Sequence, residues 1–318
     1  KFSVIFLNNF KNIIDFFSFN IQYKTITPEF TFYINLSTGI INITLISLLI
    51  LFIINFLFNI FFKNLSLLNN IFRYINLIVI TVIFILLLIK FYMSLRLEQA
   101  VGPYIYDVKY LFYVENNNIN FIEYCSVFSS SFSDAILLLS FITGIICLEL
   151  LGLKNLFKSM NNISLFLIFN FFVTIMVSTN NLLIMFISFE FIFLPTMYFV
   201  YKLGYSKKID KANEILFYWT LFGSFLVLTS LGYLYYNFSS LNYLILSQKQ
   251  FSKLETQVLL LVFLVGFGVK IPLAPFHYWL LKVHVESPTA FSIFLSGFLV
   301  KSALYCLFML LNMFNTTQ

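Results

Sequence analysis

Charge is scarce in this chain: of 318 residues only 10% are Asp, Glu, Lys or Arg, while 60% are apolar. A soluble domain of this length exposes far more charge and has too little interior to hide so much apolar side chain. The mean hydropathy of +0.93 agrees. Cysteine is equally rare. Cys125, Cys147 and Cys306 stand far apart with no CxxC pair, which leaves neither a disulfide framework nor a thiolate metal site and reads as three small apolar residues. There is no Gly-rich phosphate loop, no His/Cys cluster at metal-ligand spacing and no Ser-His-Asp arrangement, which leaves gradient-driven or relay chemistry inside the membrane. The first residues carry neither a cleavable signal nor an Arg-rich transit pattern.

Long apolar runs are what the chain has in abundance. They fall at about 41–62, 75–95, 133–152, 163–179, 182–201, 213–236, 257–281 and 289–312. Hydrocarbon roughly 30 Å thick needs about 20 such residues, and a helix satisfies its own backbone there. The fold expected is an all-α, polytopic transmembrane helix bundle of about eight spans. Residues 1–36, where Lys11, Asp15 and Lys24 interrupt short aromatic runs, read as an N-terminal interfacial segment. Residues 37–318 read as the bundle. The 44 Phe against 2 Trp, with abundant Ile, Asn, Tyr and Lys, resemble translation of an AT-rich genome such as an organellar one.

The net charge of +6 does not require nucleic acid, because most Lys and Arg fall in short loops between spans. With eight spans, Lys63, Arg73, Lys154, Lys158, Lys202, Lys207, Lys208, Lys211 and Lys282 share one side. Arg96, Lys109, Lys249 and Lys253 share the other. The richer side is expected to face the matrix or cytoplasm.

Several ionisable residues interrupt the runs. Lys90 and Glu149 lie near span ends, where they are expected to snorkel to the interface. Glu190, Lys270 and Lys301 lie well inside, where each costs about 2.5–3.5 kcal/mol on insertion scales. Such groups face a bundle interior or wet cavity and pair with one another. Burial disfavours an ammonium and a nearby carboxylate restores it, so a buried Lys–Glu pair is a switchable proton store. Lys270 sits in "GVKIPLAPFHYW", residues 268–279, whose Pro272 and Pro275 break a helix. Broken backbone at membrane depth is tolerated where it lines a cavity or is buried in protein. His277, seven residues on, has two readings: a proton relay between Lys270 and Lys301, or a structural histidine bonded to a carbonyl. His284 precedes "ESPT", where Ser287 or Thr289 would cap span eight with Pro288 in its first turn; a capping or loop role leads, with a relay role second. Pro195, five residues after Glu190, is expected to kink its span.

The stretch "KIPLAPFHYWLLKVHVESPTAFSIFLSGFLVKSALY", with "FYWTLFGSFLVL" at 217–228 and "FEFIFLPTMYFV" at 189–200, resembles the antiporter-like membrane subunits of respiratory complex I (NADH:ubiquinone oxidoreductase). "HVESPT" favours the mitochondrial subunit 4 type over the subunit 2 and subunit 5 types. The likeness covers about residues 180–312 well, taken as the proton-channel core, and the front third by helix pattern only. It implies a non-redox subunit, with no cofactor in this chain, that translocates protons across the mitochondrial inner membrane through a Glu190, Lys270, Lys301 and His277 axis, coupled to quinone reduction elsewhere. The implied partners are other membrane-arm subunits, including those of the subunit 2 and subunit 5 types, and lipids. Leu281 and Lys282 depart from the family's Leu-Pro-x-Ala-His. The family has about fourteen helices, so the expectation is that the remaining helices are either cut off from this sequence or carried by a separate chain. Alternatives are a subunit 2 homologue, a component of a multi-subunit cation/proton antiporter, and a structural remnant without transport.

Overall fold

The computed structural model describes residues 28–61, 66–101, 131–153, 160–203, 209–247, 249–287, 292–293 and 295–315. Their helices are α1 Pro28–Phe61, α2 Ser66–Val101, α3 Ser131–Leu153, α4 Met160–Ser178 and α5 Leu182–Leu203. There follow α6 Ile209–Phe238, the short α7 Tyr243–Ser247, α8 Lys253–Lys270 and α9 Tyr278–Glu286. A π turn, Leu295–Leu299, leads into α10, Val300–Asn315.

Stretches long and apolar enough to cross a bilayer number five among the described residues: Gly39–Phe58, Tyr74–Leu95, Leu182–Lys202, Ile209–Phe238 and Leu295–Phe314. Ser131–Ile146 and Ile163–Ser178 are apolar but shorter. Of the eight expected runs, the third and fourth correspond to α3 and α4, helices of 23 and 19 residues, and the seventh is divided, since helix ends at Lys270 and resumes only at Tyr278. Of the expected interfacial segment, residues 1–27 lie outside the described residues, and 28–36 form the first turns of α1.

Polarity is distributed inside out relative to a soluble bundle. On α2, Ile75, Ile78, Val82, Ile85, Ile89 and Tyr92 are exposed, while Asn76, Ile80, Ile83, Leu87, Lys90 and Ser94 are buried. Both sets step by three and four residues, which places each on one face. The apolar face is left for lipid and the polar one is turned inward. Asn55 of α1 and Asn76 of α2 exchange two amide hydrogen bonds of 3.0 and 2.9 Å, satisfying buried groups that would otherwise be costly.

Packing runs α2 on α3, α1 on α4, α4 on α5, α5 on α6 and α6 on α8, with α10 lying across α8, α5 and α3. At one end of the bundle the connections α4–α5 and α6–α7 are tied together. Asn181 and Asn242 form an isolated antiparallel bridge. Leu182 N–H donates to the Leu241 carbonyl at 3.0 Å, and Tyr243 N–H to the Asn180 carbonyl at 2.9 Å.

Candidate functional site

Helices α6 and α8 cross with almost nothing between their backbones. A Cβ on Gly223 would stand 2.6 Å from the Gly266 carbonyl oxygen, and one on Gly266 would stand 2.7 Å from Val227 Cγ2. Only glycine permits such an approach. It brings the end of α8, and with it Lys270, into the groove that α5 and α6 share.

There Lys270 forms an ion pair with Glu190 of α5; the lysine is fully buried and the glutamate keeps 30% of its side chain exposed. The amine is therefore sealed, while its partner carboxylate opens toward solvent or a neighbour. The other carboxylate oxygen, Oε2, accepts from the Ser224 hydroxyl of α6 at 2.9 Å. That hydroxyl also lies 2.6 Å from the Thr220 carbonyl, so one O–H is divided between two acceptors. Three rings of α5 complete the enclosure: Lys270 Nζ lies 4.6 Å from the centre of Phe189, 5.2 Å from Phe193 and 5.6 Å from Phe186. Spacings of three and four put these rings on the face of α5 that carries Glu190, and their electron-rich faces favour a cation.

The chain beyond Lys270 explains why the helix stops there. Pro272 has no N–H to give to the Gly268 carbonyl, which accepts instead from Leu273 N–H at 2.8 Å. Leu273 would have served Val269, whose carbonyl now accepts from the Trp279 indole N–H at 2.7 Å. Trp279 is completely buried, so its indole satisfies the carbonyl that the proline break leaves over. Helix α5 runs through Pro195 without interruption.

The remaining candidates are placed elsewhere. His277 is exposed and stands at the N-terminal cap of α9 without a side-chain capping bond. Its backbone carbonyl accepts from Leu280 N–H at 3.2 Å. His284 lies half-buried in the last turn of α9, and burial holds its imidazole below the ordinary histidine value. Ser287 follows as the C-terminal cap of α9, its N–H donating to the Val283 carbonyl at 2.9 Å; Pro288 and Thr289 lie outside the described residues. Lys301 is exposed, on one face of α10 with Leu304 and Phe308, and its ammonium bonds the Ser296 carbonyl in the π turn. The structure thus brings Glu190 and Lys270 together and leaves His277 and Lys301 outside that contact.

Lys90 requires a correction. It does not snorkel: it is 1% exposed and paired with Asp134 of α3, itself 2% exposed. Nearness to a span end suggests the interface, but a spacing of fourteen from Asn76 sets Lys90 on the buried stripe. Glu149's side chain lies outside the described residues. Ser224, the three phenylalanines and Trp279 also belong to the site without having stood out in the sequence. Among the described residues no group of three or more His, Cys, Asp or Glu is placed to hold a metal ion.

Residues 178–318 match the family model described as NADH:quinone oxidoreductase/Mrp antiporter, transmembrane. A protein of Paramecium tetraurelia named NADH-ubiquinone oxidoreductase chain 4 is 33% identical over 216 residues, 67% of this chain and 44% of that protein. The protein of the same name from Dictyostelium discoideum is 32% identical over 209 residues, 64% and 37% of the two chains. The chain spans less than half the length of these relatives. Among solved structures, a chain of respiratory complex I from Thermus thermophilus with bound NADH aligns with a TM-score of 0.65 at 17% identity, covering 86% of this chain and 54% of that one. A chain of the membrane-bound sulfane sulfur reductase, an archaeal respiratory membrane complex, aligns at 0.59 and 21% identity, covering 84% and 40%. At those identities the likeness is one of fold. Residues 178–318, which contain both Glu190 and Lys270, are thus similar to the transmembrane part of the NADH:quinone oxidoreductases and Mrp antiporters.

Proposed function

We propose that the chain is a proton-translocating, antiporter-like membrane subunit of a mitochondrial NADH:ubiquinone oxidoreductase, seated in the inner membrane beside other membrane-arm subunits. The names borne by its relatives support the complex, and the Glu190–Lys270 pair supports the proton role. That pair is the single observation carrying the reading.

The chemistry follows from its surroundings. With Glu190 in contact, Lys270 holds its ammonium against the loss of hydration. When Glu190 moves toward its open side, the ammonium keeps only the three rings, which compensate part of a charge, and the proton leaves for the next acceptor. Ser224 holds the carboxylate on the α6 side of that excursion. Lys301 and His277 are then later acceptors on the outer face of α10 and at the head of α9, with His284 a further candidate. Redox chemistry and its cofactors belong to other subunits of the complex.

Lys270→Ala in the assembled complex is expected to preserve assembly and to lower both NADH:quinone reductase turnover and proton pumping at least tenfold. Unchanged numbers of protons pumped per electron in that variant refute the role. The family name also covers cation/proton antiporters. Co-migration of the chain with NADH dehydrogenase activity on a native gel supports the respiratory complex; migration as a separate smaller assembly supports the antiporter.

A further inference from the structure

The Lys90–Asp134 pair is the other place where this chain buries opposite charges among the described residues, and neither the proton route above nor the family's helix pattern requires it. Lys90 projects from the inward stripe of α2 and Asp134 from the first turn of α3. As a mere fastener it is a poor choice, since replacing a buried ion pair by apolar side chains of similar volume is often neutral or stabilising. Its neighbourhood offers a second reason for the charges. Phe132, two residues before Asp134, stacks on Tyr305 of α10 at 5.7 Å. Tyr305 is 1% exposed, donates its hydroxyl to the Val177 carbonyl at 3.1 Å and lies within electrostatic reach of Asp134 and of Tyr243. The next residue, Cys306, is fully buried and lies within electrostatic reach of Lys270 and Glu190. Adjacent, buried positions of α10 therefore border the two ion pairs.

Resting on the proton-translocating reading above, we infer that Lys90 and Asp134 form a second proton-holding station whose charge state is coupled through α10 to that of Glu190 and Lys270. In its resting form the station is an ammonium beside a carboxylate, with no net charge. Taking up one proton converts Asp134 to the carboxylic acid and leaves the ammonium, a net charge of +1; returning that proton to the next acceptor restores the pair. In a low-dielectric interior such a change is felt by a second pair nearby. Tyr305 and, beyond it, Tyr243 are the titratable groups bordering the station from α10 and α7.

The test compares three variants of the assembled complex in sealed membranes, each scored for protons pumped per electron and for the pH profile of turnover. Glu190→Gln reports on the first pair alone. The double variant Lys90→Met with Asp134→Leu removes both charges without stranding either one. The double variant Lys90→Arg with Asp134→Glu keeps an ion pair. Full pumping by Glu190→Gln overturns the proton role of the first pair and this inference with it. If Glu190→Gln falls, the expected results are an assembled Met/Leu variant with pumping reduced at least fivefold and an altered pH profile, and an Arg/Glu variant that recovers most of the activity. Wild-type pumping and pH profile in the Met/Leu variant overturn this inference alone. Failure of both double variants to assemble marks the pair as a structural tie and overturns it too.

Discussion

An ammonium withdrawn from water is stable only beside a compensating charge, and the strength of that compensation sets how readily it gives up its proton. At the residue scale this ranks the groups around Lys270. Glu190 supplies a full charge, Ser224 a hydrogen bond to that charge, and the phenylalanines a quadrupole. A hydrogen bond to a charged group contributes about 1.5–3 kcal/mol, less than the carboxylate it steadies. Ser224→Ala is therefore expected to lower turnover to a value between wild type and Glu190→Gln, without loss of assembled complex; a loss equal to that of Glu190→Gln contradicts the ranking. Glu190 and Lys270 were legible in the sequence because an ionisable residue in an apolar run costs enough to need a reason. Phe186, Phe189 and Phe193 were not, since among 44 phenylalanines nothing distinguishes a ring facing a cation from one facing lipid. Asp134 escaped because a carboxylate in a helix's first turn is commonplace at the surface. Only the partner's position on α2 reveals it as buried.

At the scale of elements, the crossing of α6 and α8 depends on two small positions. Gly223→Val places carbon where the Gly266 carbonyl already stands, and overpacking of this kind costs about 1–3 kcal/mol. The thermal transition of the detergent-solubilised protein is expected to fall, with activity, because Lys270 rides on α8. Gly232, farther along α6, has nothing within 4 Å of the place an added methyl group would take. Gly232→Ala should leave the transition unchanged or raise it, since alanine favours helix by about 1 kcal/mol. Helix α8 also begins with a reciprocal cap: Ser252 accepts from Glu255 N–H at 3.3 Å, and Glu255 accepts from Ser252 N–H at 3.0 Å. The Ser252 backbone bond foremost, then the Ser252 and Tyr233 hydroxyls, hold the Glu255 carboxyl below its ordinary value. A carboxyl lowered in the folded state contributes stability above its unfolded pKa, and that contribution is lost as pH falls through the lowered value. Protection of the amides in the first turn of α8, relative to the intrinsic exchange rate at each pH, should fall between about pH 5 and pH 3, and Glu255→Gln should flatten that dependence. The motif Ser-x-x-Glu before an apolar run is readable in a sequence. The glycine crossing is not, because it depends on which helices become neighbours.

At the scale of the molecule, the bundle turns apolar side chains outward from α2 and α6 and gathers its amides and charges within. A lysine set on the outer face of α2, as in Ile78→Lys, should cost about 2.5–3.5 kcal/mol on insertion. The amount of chain recovered in the membrane is expected to drop; an undiminished yield would mean that this face meets water or an acidic partner instead of lipid. Helical class and membrane residence were plain from composition, since hydrocarbon leaves the backbone few alternatives. Where the helix resumes beyond Pro272 and Pro275 was not, because a run of apolar residues does not disclose that α9 begins only at Tyr278. Lys301 illustrates the same limit. Its sequence position announces a charge in a span, but the side of α10 it occupies is decided by tertiary packing.

The bridge between Asn181 and Asn242, with its two flanking backbone bonds, constrains how Glu190 can leave Lys270. It pins the start of α5 to the end of α6, so neither helix can travel along its own axis like a piston. What stays open is a pivot about the knot, as scissor blades swing about a rivet. Displacement then grows with distance from the rivet, and Glu190, two turns up α5, moves only a short way for a wide swing at the far tip.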